Sequence, residues 1–179
     1  MIRLSSAIGE TGWFDPALIE FKISPCADLQ GRKGGDWDLE RRHVLSEAVK
    51  YRAIRQHFID GRDWEETDLF RDNYARRFAS GDNVRGAASI DDLAAQYRER
   101  VDGLRDQMRR EGFRLTDKRG KPHPLPGLLI GRGGEVFIGN QGNHRLAIAK
   151  VIGLDRIAGR ITCSHKQAPH WRECPSSRP

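Results

Sequence analysis

The 179-residue chain lacks several features, and each absence removes a class of protein. No apolar run approaches the roughly 20 residues that a bilayer-spanning helix needs. The opening MIRLSSAIGETGWFD lacks the basic-then-apolar order of a secretory signal, so a soluble, cytoplasmic protein is expected. Only three cysteines are present, Cys26, Cys163 and Cys174, too few and too scattered for the disulfide framework of a small secreted domain. Internal repeats and low-complexity segments are also missing.

What remains is a chain that is 37% hydrophobic, enough for one moderate core, which favours a single domain over residues 1–179. Lysine and arginine outnumber the acids 31 to 25, and much of the excess is arginine, whose planar fork of donors suits phosphate or carboxylate. A mild excess of this kind fits nucleotides, nucleic acid or a merely soluble basic surface alike.

Along the chain, residues 1–38 read as loops with one short strand at 19–23, where Ile19, Phe21 and Ile23 alternate. From Leu39 the apolar residues Val44, Ala48, Tyr51, Ile54 and Phe58 recur at helical spacing until Gly61. A second helix is predicted over 64–78, with Phe70, Tyr74 and Phe78 on one face. A third starts at Ser89, which can cap while Asp92 completes a capping box. Leu93, Tyr97, Val101, Leu104 and Met108 then form its apolar stripe, ending at Gly112. Its other face carries Arg98, Glu99, Arg105, Asp106, Arg109 and Arg110, most simply a solvated surface, with nucleic acid as the alternative partner.

After a polar connector at 116–126 the pattern becomes β. Residues 128–130 and 135–138 flank Gly131-Arg132-Gly133-Gly134, the grammar of a hairpin turn. The stretch GNQGNHRLAIAK, 139–150, then passes from a glycine-punctuated loop into an apolar helix over 143–152. A final strand follows, in which Ile157, Gly159, Ile161 and Cys163 alternate with more polar neighbours, and residues 165–179 read as a loose tail.

The loop-to-helix junction carries the chemistry. A buried helix fixes its own N-terminus, where the first-turn N–H groups are unpaired and the dipole is positive. Gly139 and Gly142 allow close backbone approach, Asn143 is a candidate cap, and His144 and Arg145 add side-chain donors. Such a convergence describes a phosphate or carboxylate site. The alternative is that Arg145 pairs with an internal acid such as Asp155 or Glu135 while His144 caps or packs.

Gly142-Asn143-His144-Arg145-Leu146-Ala147, between strand 136–138 and Ala149-Lys150 and Gly153-Leu154, resembles the signature of the ParB/sulfiredoxin superfamily. The resemblance covers 89–164. It implies an α+β fold, a small mixed sheet with packed helices, in which 39–88 is a helical N-terminal insertion. Gly34-Gly35-Asp36-Trp37-Asp38 and Trp64-Glu65-Glu66-Thr67 also resemble segments of a microbial ParB-like subgroup.

The superfamily comprises CTP-hydrolysing DNA-partition proteins, ATP-using sulfinic-acid repair enzymes and kinases of free serine. It implies ATP or CTP with Mg as cofactor, and Gly142, Asn143, His144 and Arg145 as the phosphate-binding positions. Asn143 stands where sulfiredoxin has its reactive cysteine, which excludes repair by that nucleophile. Gln141 replaces an acid that kinase-like members carry, and an amide is neither a general base nor a charged metal ligand. The 15 residues after Ser164 leave no room for the helix-turn-helix reader of the partition proteins.

Replacement carboxylates are sought in Asp36 and Asp38, which with His144 form the candidate catalytic set. Glu65 and Glu66 instead suit the first turn of a helix. The expected function is a nucleotide-dependent phosphotransferase or nucleotide hydrolase acting on a small molecule. The alternatives are a DNA-binding protein or nuclease, and a non-catalytic nucleotide-binding module. Cys163, His165, His170 and Cys174 have zinc-ligand chemistry, but without a paired C-x-x-C knuckle no metal site is assigned.

Overall fold

The computed structural model describes residues 8–117 and 119–169. Its centre is β7, Ile157–His165, an unbroken nine-residue strand rich in β-branched and small residues. One edge of β7 is shared by two short strands. β1, Thr11–Phe14, pairs antiparallel with its first half, and β3, Gly31–Lys33, pairs parallel with its end. Along the other edge lies β5, Gly127–Ile130, parallel to β7 and joined by a tight turn to antiparallel β6, Val136–Ile138. β2, Phe21–Ile23, runs parallel to β6, and β4, Arg42–Val44, closes the sheet as its far edge. The result is a mixed seven-stranded sheet combined with several helices, an α+β architecture.

Every residue of β5 and β6 is buried, because both faces of the hairpin are covered. Leu128, Ile130 and Ile138 face the larger core, beneath the helices α2, Val49–Phe58, and α6, Asn143–Val151. Leu129 and Phe137 point into a smaller cluster with Ile23, Leu29 and Trp37. Between Leu128 and Leu129 the register with β7 slips, so that they pair with Ile161 and Cys163 and Thr162 is bulged out. The bulge transfers Cys163 to the smaller cluster, whereas strict alternation places it on the face of Ile161.

The helical stripe from Ser89 forms as its spacing predicts. Ser89 Oγ accepts from Asp92 N at 3.1 Å, and the Asp92 carboxylate accepts from Ala88 N at 2.8 Å. The helix runs through α4, Ile90–Tyr97, a π-helical turn at Arg98–Asp102, and α5, Gly103–Glu111. Gly112, at φ +70°, ends it.

Three local expectations are corrected. The continuous helix from Leu39 is instead a single turn, α1, Trp37–Glu40, then edge strand β4, with α2 starting only at Val49. Val44 matched the helical period, yet it is exposed, and its segment is claimed by pairing with β2. The helix predicted over 64–78 is divided. A 3₁₀ turn, Trp64–Glu66, is closed by the Thr67 hydroxyl donating to the Trp64 carbonyl at 2.6 Å. A π-helical segment, Leu69–Tyr74, then leads into α3, Ala75–Ala79. Finally, β1 and β3 occupy stretches read as loop, because pairing with β7 recruits segments too short to show a period of their own.

Among the described residues no helix is long and apolar enough to cross a membrane.

Candidate anion-binding site

The loop between β6 and α6 is shaped by two glycines. A Cβ on Gly142 would lie 2.5 Å from Pro126 Cα, and the residue sits at φ +77°, so only glycine fits. Gly139 donates its N–H to the Gly127 carbonyl at 2.9 Å, tying the loop to the start of β5. Gly142 itself is the cap residue of α6. Asn143, the expected cap, is instead the first helical residue, and its amide donates back to the carbonyls of Asn140 and Gly139 at 2.8 and 3.3 Å. Among the described residues no side chain caps the helix, which leaves its first-turn N–H groups available.

His144 and Arg145 diverge from this junction, as residues 100° apart on a helix must. Arg145 is buried, with its guanidinium 4.0 Å from the centre of the Phe113 ring and Nη2 donating to the Arg114 carbonyl at 2.7 Å. Its Nε and Nη1 have no partner among the described residues, and burial pulls its pKa down to about 10. Neither Asp155 nor Glu135 forms an ion pair with it. Glu135 instead accepts from Gly133 N at 3.1 Å.

His144 turns the other way, edge-on to the buried Tyr97 ring at 5.7 Å. Tyr97 is fixed from behind by a 2.6 Å hydrogen bond between its hydroxyl and that of Tyr74. The His144 Nε2 is buried and unpartnered among the described residues. Burial, and then the charges of Arg85 and Lys50, lower its pKa to about 4, so the ring is neutral at physiological pH.

Beside this ring and Asn143 opens a cleft of about 570 Å³. Four cationic side chains line it: Lys22 from β2, Lys50 from α2, Arg77 from α3 and Arg85 from the turn before α4. Glu47 is the one carboxylate in its lining. Arg77 is partnered by Asp82 at 3.1 Å, whereas Lys22, Lys50 and Arg85 form no salt bridge among the described residues. The Lys50 ammonium is held below its ordinary pKa by partial desolvation and then by the Arg85 and Lys22 charges. Like charges brought together without counterions repel, and an incoming anion relieves that repulsion.

The sequence offered no signal for this set, since its members come from four separated elements and share no motif. Of the predicted residues, Asn143 lines the cleft, and His144 lies outside that lining but within reach of the Arg85 and Lys50 charges.

Asp36 and Asp38 lie elsewhere. Both bind Arg132 in the β5–β6 turn, at the opposite end of the hairpin from the Gly139–Gly142 loop. Arg132 donates from Nη2 to Asp36 at 2.6 Å and to Asp38 at 2.7 Å, and its backbone N–H donates to Asp38 at 2.9 Å. Asp38 is only 2% exposed. Burial alone would raise its carboxyl, but the hydrogen bonds from Arg132 outweigh it and hold the pKa below the usual range. Trp37 between them is an anchor, packed edge-on against Phe137. The structure therefore does not assemble Asp36, Asp38 and His144 into one catalytic group.

The zinc-ligand chemistry is likewise dispersed. Burial pushes the Cys163 thiol up to about 11, and both His165 ring nitrogens are engaged, by Gly35 O at 2.9 Å and Gln167 N at 3.0 Å. His170 and Cys174 lie outside the described residues, among which no group of three metal-ligating side chains occurs.

Comparison with protein-family models, curated proteins and solved structures yields no match.

Proposed function

We propose that the chain binds a nucleotide through its phosphates in the cleft beside the α6 N-terminus, as a ParB/sulfiredoxin-like protein. The observation that carries this reading is the convergence of Lys22, Lys50 and Arg85, without salt bridges among the described residues, on the cleft that Asn143 lines at the start of α6. The order of hairpin, glycine loop, buried helix and parallel strand supports the ParB/sulfiredoxin-like assignment.

The donor set fits ATP or CTP. Three ammonium or guanidinium groups and an amide suit a chain of phosphates, and the apolar lining from Val44, Leu45, Tyr51 and Leu69 suits a base and sugar. Mg fits in its usual manner, held mainly by the phosphates with one carboxylate, here Glu47. Phosphotransfer or hydrolysis on a small molecule would depend on that same carboxylate, because Asp36 and Asp38 are committed to Arg132. The geometry thus favours binding over turnover.

Nucleic acid is the weaker partner. Arg98, Arg105 and Arg114 on and after the long helix are paired with Glu65, Asp106 and Glu111.

Calorimetry with ATP, CTP and tripolyphosphate, with and without Mg, tests the reading. Micromolar to millimolar binding, lost in a Lys22→Ala/Lys50→Ala variant that melts like the wild type, is expected. Absence of heat with all three ligands defeats the proposal, and nucleotide consumption in the same samples would establish turnover.

A further inference from the structure

Among the described residues one side chain other than glycine adopts positive φ, and it is a cation of the cleft. Arg85 has φ +59° and Gly86 φ +75°. Val84 and Ala87 close a four-residue turn around them, with Ala87 N donating to the Val84 carbonyl at 3.0 Å. Positive φ at both central residues is the pattern of a type I′ turn, whose first central position takes Asn, Asp or Gly and is strained for other side chains.

The turn is held on both sides. Val84 is fully buried in the main core, and the Asn83 side chain accepts from Gly86 N at 2.8 Å. Nothing in the backbone hydrogen bonding calls for arginine. The side chain is exposed and forms no salt bridge among the described residues, and its guanidinium lies 5.4 Å from the centre of the Tyr97 ring, the same ring that His144 abuts. An exposed residue kept where its backbone is unfavourable, in the lining of a cleft, is an outlier that points to a site.

We infer that Arg85 is the specificity-determining residue of the cleft, held in a strained turn to clamp the terminal phosphates of a di- or triphosphate. This inference rests on the nucleotide reading above and adds to it a choice of ligand class. Arg85, Lys50 and Lys22 together present three positive charges without salt bridges among the described residues. A monophosphate would leave part of that repulsion in place, whereas a triphosphate spans and neutralises the group. The planar fork of arginine also grips two oxygens of one phosphate, which the lysines cannot do.

The test compares wild type with Arg85→Asn, Arg85→Gly and Arg85→Lys by ligand-free melting and by calorimetry. The probes are ATP, CTP, the corresponding monophosphates and tripolyphosphate. Asn and Gly relax the turn, so the ligand-free melting temperature is expected to rise by about 2 °C. Affinity for triphosphates and tripolyphosphate is expected to fall by about 10- to 100-fold, with monophosphate affinity changed far less. Arg85→Lys keeps the strain and the charge but loses the fork, and should bind weakly without gaining stability.

If wild type and Arg85→Asn bind triphosphates equally, the inference is overturned while the nucleotide reading stands. If Arg85→Asn and Arg85→Gly both melt below wild type, arginine serves the fold and the inference is again overturned. Absence of any wild-type binding removes both.

Discussion

The two ends of the β5–β6 hairpin treat charge in opposite ways. At the turn end, Arg132 is bound by two carboxylates and a backbone carbonyl, and the buried Asp38 in return accepts from both its side chain and its backbone. At the loop end, Lys22, Lys50 and Arg85 line a cleft beside Asn143, with a single carboxylate, Glu47, in that lining. Charges satisfied within the chain hold the fold together. Charges left without salt bridges among the described residues repel one another, and a bound anion would offset that repulsion. The acids that looked catalytic in the sequence belong to the first kind, and the site belongs to the second.

This contrast is open to direct attack. The largest effect is expected at the turn end, where Asp38→Ala leaves Arg132 donors without their buried acceptor. Urea denaturation should show a loss of about 3 kcal/mol, with nucleotide affinity in the folded fraction unchanged. A large loss of affinity with intact stability would place Asp38 in the binding site and erase the distinction.

His144 should produce an acid limb of comparable size. Its folded pKa of about 4 lies below the unfolded value near 6.5, so the unfolded chain takes up the proton first as pH falls. Stability is therefore full above pH 6.5, declines through the interval down to pH 4, and gains no further loss from this group below that. At about 1.4 kcal/mol per pH unit the total is a little over 3 kcal/mol, on the order of the loss at Asp38. Denaturation of His144→Gln across the same interval should lack that component, and an unchanged pH profile would show that the ring titrates as if exposed.

The smallest stability effect is expected from Lys50→Met. Removing one of the three cleft cations that lack a salt bridge among the described residues should leave urea stability within about 0.5 kcal/mol of wild type or raise it slightly. A loss above 1 kcal/mol would mean that Lys50 has a structural partner and that the loop end is no different from the turn end.

Much of the C-terminal half was legible in advance because its signals are local. The capping box at Ser89, the stripe from Leu93 to Met108, the glycine turn around Arg132 and the apolar helix after Gly142 depend on neighbours within a few residues. The N-terminal half was harder. β1, β3 and β4 are three or four residues long, too short for a period to register, and β4 carries a valine that also suited a helix. Around the cleft, the loop glycines and Asn143 stood out in the sequence, whereas Lys22, Lys50, Arg77 and Arg85 did not. Each is an ordinary surface cation in its own segment.

By itself the sequence determined an α+β chain, the glycine-governed junction before a buried helix, and the presence of a histidine and an arginine at that junction. These follow from conformational freedom and hydrophobic period, which adjacent residues express on their own. Only the tertiary structure decided that Arg145 turns to Phe113, that Asp36 and Asp38 close on Arg132, and that cations from four elements meet beside Asn143. Pairing of charges depends on distance in space, and residues 22, 50, 77, 85 and 143 become neighbours only after the sheet and helices have closed around them.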